Sequence, residues 1–171
     1  MVETIESTIE AIRAAFRGVP RGEITLHEAE VIDSYGTAKE RAAARRRDTE
    51  ERWEEIPDKQ IEECSNALSH LDPQSWRYYL PRYMEWTLVH HTTSRSITVD
   101  HTIYALLLGG DASINDYLRA RYRQLTPEQS RAVSRFLQIM ARADEHADAG
   151  AAGEALQKYW HKLSVAGQVE G

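Results

Sequence analysis

The chain has 171 residues, 42% of them apolar and 28% charged, with a formal net charge of −6, which is the size and make-up of one soluble domain. Nine glycines and five prolines are few for this length, while 21 Ala, 18 Glu and 17 Arg against eight Val are a helix-former composition that argues against a turn-rich β-sandwich. The lone Cys64 excludes a disulfide framework and a cysteine-based zinc site, no apolar run approaches the roughly 20 residues of a membrane span, and the acidic, isoleucine-spaced start does not read as a signal peptide.

In chain order, Val2, Ile5, Ile9, Ile12 and Phe16 recur at three- and four-residue steps and predict a first helix, stopped by Gly18 and Pro20. Thr25 and Glu28 form a capping box that opens a helix to about Tyr35, with Gly36 as its stop. A second box, Thr37 and Glu40, restarts at once, so the two helices pack as a hairpin. The highly charged stretch 38–55 reads as one long solvated helix with a weak point at Asp48, the competing reading being a break there. Pro57-Asp58 starts another helix, with Ile61, Cys64 or Ser65, and Leu68 to Leu71 on its inner face. Asp72-Pro73 ends that helix and caps the next.

Pro81 lacks an N–H and clashes with the preceding turn, so the next segment is expected as a short helix over 73–79, a break, and a second helix over 81–91. A polar loop over 92–96 follows; Asp100 caps a helix over 101–108, closed by Gly109 and Gly110. Ser113 caps a helix over 114–123, with Tyr117 and Leu118 facing in. Thr126 and Gln129 form a third capping box, opening a helix with Val133, Phe136, Leu137 and Met140 on one face. Residues 144–148 read as a solvated helix end and 149–153 as a flexible joint; a last helix spans 154–163 and the tail 164–171 is frayed. No repeat of solenoid period is present. The expected fold is all-α, one irregular orthogonal bundle of about seven to nine helices over residues 1–163.

Charge is unevenly laid out. Residues 1–63 hold ten basic and sixteen acidic side chains, residues 64–143 nine and six, and residues 144–171 two and five. Such a balance suits internal complementarity or a polarised partner surface, and disfavours non-specific nucleic-acid binding.

No motif for catalysis emerges: there is no Gly-x-Ser-x-Gly, phosphate loop, dinucleotide fingerprint or His-Glu-x-x-His. No catalytic residue, cofactor or metal is therefore assigned. His90 and His91 with Asp100 and His101 are the best residual metal cluster, set against the ordinary reading of solvated loop histidines. His27 and Glu30 read as a surface pair. Cys64, beside Glu62 and Glu63, reads as a small core residue with a raised thiol pKa. Arg119, Arg121 and Arg123 with Tyr122, followed by Arg131, Arg135 and Arg142, would form a basic ridge if their helices pack antiparallel; a solvated helix face is the plainer reading.

Five of the fourteen aromatic residues fall within positions 76–86. Trp76, Tyr79, Tyr83 and Trp86 share one helical stripe, while Tyr78, Arg82 and Glu85 form another. Core filling is the default for such a stripe, but Tyr, Trp and Arg are also typical interface anchors. Asp72, Trp76, Arg77, Tyr78, Tyr79, Arg82, Tyr83 and Glu85 are therefore the candidate binding residues, to be judged by whether they converge on a concave pocket.

The stretches Leu71-Asp72-Pro73, Arg77-Tyr78-Tyr79-Leu80-Pro81 and Tyr83-Met84 resemble the signature of an uncharacterised family of small bacterial proteins. So do the block Thr25-Leu26 to Ile32-Asp33, Trp53, Leu125 with Gln129, and Phe136-Leu137, so the likeness spans roughly residues 5–140. Trp76 stands where that signature would carry a smaller aromatic such as Phe. The resemblance implies a bacterial, cytoplasmic, helical protein without established activity. Small proteins of this kind are often immunity or antitoxin partners, an association by size and company.

The leading expectation is thus a non-enzymatic protein–protein interaction protein, plausible as an immunity protein or conflict-system adaptor whose partner is a toxin or effector. An enzyme or small-ligand binder with a pocket at residues 72–85 is the alternative, and nucleic-acid binding through the Arg119 to Arg142 ridge the second.

Overall fold

A computed structural model describes residues 2–143 and 146–161. Among these residues the structure is helical throughout, with nine α-helices and no strand. They are α1 (Ile5–Ala15), α2 (Leu26–Asp33), α3 (Ala38–Arg45), α4 (Asp58–Glu63), α5 (Pro73–His90), α6 (Thr98–Tyr104), α7 (Ala112–Tyr122), α8 (Pro127–Met140) and α9 (Ala149–Ala155). Short 3₁₀ turns follow α3 (Trp53–Glu55) and α4 (Ala67–Ser69), and α9 runs on into a π turn (Leu156–Trp160). The expected solvated end at 144–148 lies partly, and Leu163 with the tail 164–171 wholly, outside the described residues.

The three capping boxes all form: Thr25 with Glu28, Thr37 with Glu40, and Thr126 with Gln129. Helix α1 buries Thr8, Ile12 and Phe16 and packs against α8 and α5. Helices α2 and α3 pack together as the hairpin their boxes predict.

The stop between them works differently from expectation. Tyr35, not Gly36, takes the left-handed conformation (φ 57°), while the N–H groups of Tyr35 and Gly36 return to the carbonyls of Ile32 and Val31. Gly36 is needed for space: a Cβ there would lie 2.4 Å from Val31 Cγ1. Tyr35 is 97% exposed, so its ring gains nothing from packing. Tyr35→Gly is therefore expected to stabilise the protein by about 1 kcal/mol in urea unfolding, since glycine adopts φ > 0 without the Cβ penalty.

The long solvated helix expected over 38–55 is not present. Helix α3 ends at Arg45, and Asp48 turns inward, 4% exposed, to accept hydrogen bonds from His27; the break at Asp48 was the competing reading. The helix expected from Asp58 to Leu71 is likewise two pieces, interrupted where Cys64 leaves helical geometry.

Pro81 does not break its segment. Helix α5 is continuous for 18 residues, with Pro81 buried inside it. A proline costs a helix interior about 3 kcal/mol, whereas each large apolar side chain buried gains about 1.5–3 kcal/mol. Trp76, Tyr78, Tyr79, Leu80, Tyr83, Met84, Trp86 and Leu88, lying on both sides of the proline, are all buried, so the burial outweighs the lost bond. Helix α5 contacts α1, α4, α6, α7 and α8, which explains apolar burial all round it rather than on one stripe.

Helix α6 begins at Thr98, before Asp100; the Asp100 carboxylate instead accepts the backbone N–H of Asp148, 2.9 Å away. The cap of α7 is Asp111, not Ser113, through bonds to the N–H groups of Ser113 and Ile114. Residues 149–153 are helical, with Ala151 and Ala152 buried, rather than a joint.

Candidate functional site

The eight candidate residues on and before α5 do not converge on a pocket. Asp72 is a backbone clamp: its carboxylate accepts from the N–H groups of Ile24 (2.8 Å), Glu23 (3.2 Å) and Ser75 (3.1 Å). Burial would raise the Asp72 carboxyl, but these bonds outweigh it and hold it below the usual carboxylate range. Arg77 donates through Nε to Gln129 on α8 (3.0 Å), and Arg82 to the Ile56 carbonyl (2.8 Å) and the Asp58 carboxylate. Glu85 pairs with Arg13 of α1. The Tyr79 hydroxyl accepts from Leu26 N–H at 3.1 Å, and the Tyr83 hydroxyl donates to the Cys64 carbonyl. Tyr78 is buried edge-on against Tyr79, with ring centroids 4.8 Å apart. Burial raises the hydroxyl pKa of all three tyrosines. Six of the eight thus tie α5 to other parts of the chain; Tyr78 packs within α5 with its hydroxyl buried and unpartnered, and Trp76 lines an open cleft.

The histidines are also engaged. His90 meets Asp58 at 3.0 Å, His91 Nδ1 meets the Thr87 and Leu88 carbonyls, and His101 Nδ1 meets the Ser65 carbonyl at 3.1 Å. Among the described residues no group of three or more His, Cys, Asp or Glu side chains is arranged to hold a metal.

His27 is not the surface partner of Glu30 that its spacing suggests. It is 5% exposed, with Nδ1 2.5 Å from Asp48 Oδ1 and its backbone N–H 2.9 Å from Asp48 Oδ2. An aspartate orienting an imidazole is a general-base geometry, but here His27 Nε2 is sealed from water with no partner in reach. The pair acts as a cap and clamp on α2. Cys64 is buried, and burial, with the charges of Glu30 and Asp48 adding, pushes its thiol up to about 12, so it is no ready nucleophile.

The expected arginine ridge loses Arg121 to the interior, and four of its other members have partners of their own. Arg119 pairs with Asp116, Arg131 with Glu128 and Arg135 with Glu3, while Arg142 bonds the Gln138 carbonyl. Arg121 is 1% exposed.

What the structure does assemble is a cleft of about 540 Å³ between α6, α7 and the turn at Ala67–Ser69. Its walls are mostly apolar: Leu68, Tyr104, Leu107, Ile114, Tyr117 and Leu118. Its polar lining residues are Asn66, Ser69, His101 and Arg121, and Trp76 lines it as well. Rigid support comes from a packed aromatic cluster. Trp76, Tyr159 and Trp160 each lie within 4.7–5.7 Å of the Tyr122 ring, centroid to centroid. The Tyr122 hydroxyl and the Trp160 indole N–H satisfy the carbonyls of Ala105 and Leu106 just after α6, at 3.0 and 2.8 Å. The cleft wall is thereby held to the core.

Fold and site together define an all-helical protein with an apolar surface cleft over a buried cation. Residues 4–164 match the Family of unknown function (DUF6714), and the chain belongs to that family. No curated protein and no solved structure matches the chain. Among the described residues, no helix is long and apolar enough to cross a membrane.

Proposed function

We propose that this is a non-enzymatic interaction protein, of the immunity or adaptor kind and at work in the bacterial cytoplasm, that engages a partner protein through the cleft between α6 and α7. The apolar rim carries this reading. Tyr104, Ile114 and Tyr117 are 44%, 50% and 50% exposed around a single opening. Large apolar side chains gathered around a concavity with a few polar points are the usual anatomy of a recognition site. Side chains that catalysis would draw on are committed to the fold instead: His27 is sealed against Asp48 and the Cys64 thiol is held protonated.

The test is purification of the tagged protein from its native host and with its neighbouring gene products, as wild type and as Ile114→Glu. A stoichiometric protein partner is expected with the wild type. Recovery should fall at least about tenfold with Ile114→Glu, the effect of roughly 1.4 kcal/mol or more at an interface anchor. Melting should be nearly unchanged, because Ile114 is half exposed. Absence of a stoichiometric partner, or equal recovery by the variant, overturns the reading.

A further inference from the structure

Arg121 lines the cleft as a cation that no carboxylate among the described residues neutralises. Arg121 is 1% exposed, yet its hydrogen bonds go to the Leu71 carbonyl and the Tyr117 hydroxyl, both uncharged. Among the described residues no carboxylate forms an ion pair with it. Asp72 is near enough to be felt electrostatically, but its oxygens are taken by three backbone N–H groups. The Nε of Arg121 has no acceptor, and neither has the indole Nε1 of Trp76, which is 0% exposed. Both side chains line the cleft. Buried arginines are ordinarily paired, and each unmatched donor carries its desolvation cost. Two such donors, one of them charged, belong to residues that line one apolar cleft, and an anion that reached them would meet both.

We propose that the cleft receives the C-terminal residue of the partner protein, an apolar residue whose α-carboxylate is bound by Arg121 and the Trp76 indole. This rests on the binding reading above and names the chemistry it requires. A chain end supplies an apolar side chain for the walls and a carboxylate for the cation from one residue. Tyr117 is the side chain that has to move: its ring lies over the guanidinium, 3.8 Å from Cζ to centroid, it is half exposed, and its hydroxyl accepts from Arg121 and donates to the Ser69 carbonyl at 3.4 Å. Its displacement opens Nε to the carboxylate, which then accepts charge-assisted hydrogen bonds from the guanidinium and a further one from the indole.

The probes are acetyl-glycyl-leucyl-phenylalanine with a free carboxylate, the same peptide as its C-terminal amide, and 3-phenylpropionate. Each is titrated into the full chain by ¹H–¹⁵N NMR, following the Trp76 indole and Arg121 Nε resonances. The free peptide is expected to shift both and to bind at least about tenfold more tightly than the amide, the scale of a charge-assisted bond. In Arg121→Met that ratio should fall to about one. Equal binding of acid and amide to the wild type, or shifts elsewhere only, overturns the proposal without recourse to any variant. Phenylpropionate binding as tightly as the peptide assigns the cleft to a small acid and overturns the terminus. If partner recovery depends on Ile114 while acid and amide bind alike, the carboxylate assignment fails and the binding reading stands. If recovery is indifferent to Ile114→Glu, the binding reading itself fails.

Discussion

Asp48→Ala is expected to destabilise the protein by about 3–5 kcal/mol, the scale of removing one member of a buried polar pair. Asp48 is 4% exposed and takes two donors from His27, its backbone N–H and its ring nitrogen. Without the carboxylate both stay buried with no acceptor, and the N-terminus of α2 loses its remote cap. Because α2 packs on α3 and on the turn at Ala67–Ser69, the loss should appear as a cooperative fall in the urea midpoint.

The same side chain shapes the acid limb of stability. Burial alone would raise the Asp48 carboxyl; the hydrogen bonds from the His27 ring and backbone outweigh that and leave it lowered in the folded protein. Asp58 and Asp72 are lowered in the same way, against their burial, by His90 and Arg82 and by backbone N–H groups. A folded value below the unfolded one stabilises at pH values above the unfolded value, roughly 3.9 for aspartate, and that contribution is lost as pH falls through the folded value. Glu30 and Glu50 have the opposite sign, since burial raises them and their protonation favours the folded state. The wild type should therefore lose stability chiefly below about pH 4, with the glutamates softening the loss. Asp48→Ala, already weaker at neutral pH, should show a shallower decline between pH 5 and pH 3. A decline as steep as the wild type's would show that Asp48 is not a main contributor.

The second large effect concerns Arg121 and has the reverse sign. Arg121→Met is expected to stabilise the protein by about 1–3 kcal/mol, because an apolar side chain of similar length removes a buried, uncompensated charge. The loss of the bonds to Leu71 and Tyr117 offsets part of that gain. A residue that costs stability and is retained for binding is a common trade-off, and the variant should be firmer and unable to discriminate a carboxylate.

Much of this architecture can be read locally. The α1 stripe from Ile5 on, the capping boxes at Thr25, Thr37 and Thr126, and the Asp72-Pro73 start are all short-range signals, and all form, whereas Val2, expected in the stripe, lies before α1 and is exposed. Misreadings arise where tertiary contact overrides a local rule. Asp48 ends α3 because His27, 21 residues earlier, offers it two donors. Pro81 stays in its helix because the aromatics on both sides of it are buried. The aromatic surplus at 76–86 fills the core, the default for such a stripe, and Arg77, Tyr79, Arg82 and Tyr83 find their partners within the chain, while the Trp76 indole N–H and the Tyr78 hydroxyl find none.

The cleft was not legible, because its walls come from α5, α6, α7, the turn at Ala67–Ser69 and the glycines at 109 and 110, brought together only by folding. One signal did point to it. Arg119 and Arg123 share a face of α7, so Arg121 between them must point the other way, toward the core. An arginine on the inner face of a helix calls for a partner, and among the described residues no acid pairs with this one.

Thermal unfolding of wild type and Arg121→Met, each with and without the free-carboxylate peptide, tests the central claim most directly. The account predicts that Arg121→Met melts higher than the wild type in buffer, and that the peptide raises the melting temperature of the wild type alone. A variant that melts lower in buffer, or a peptide that raises both proteins equally, would contradict it.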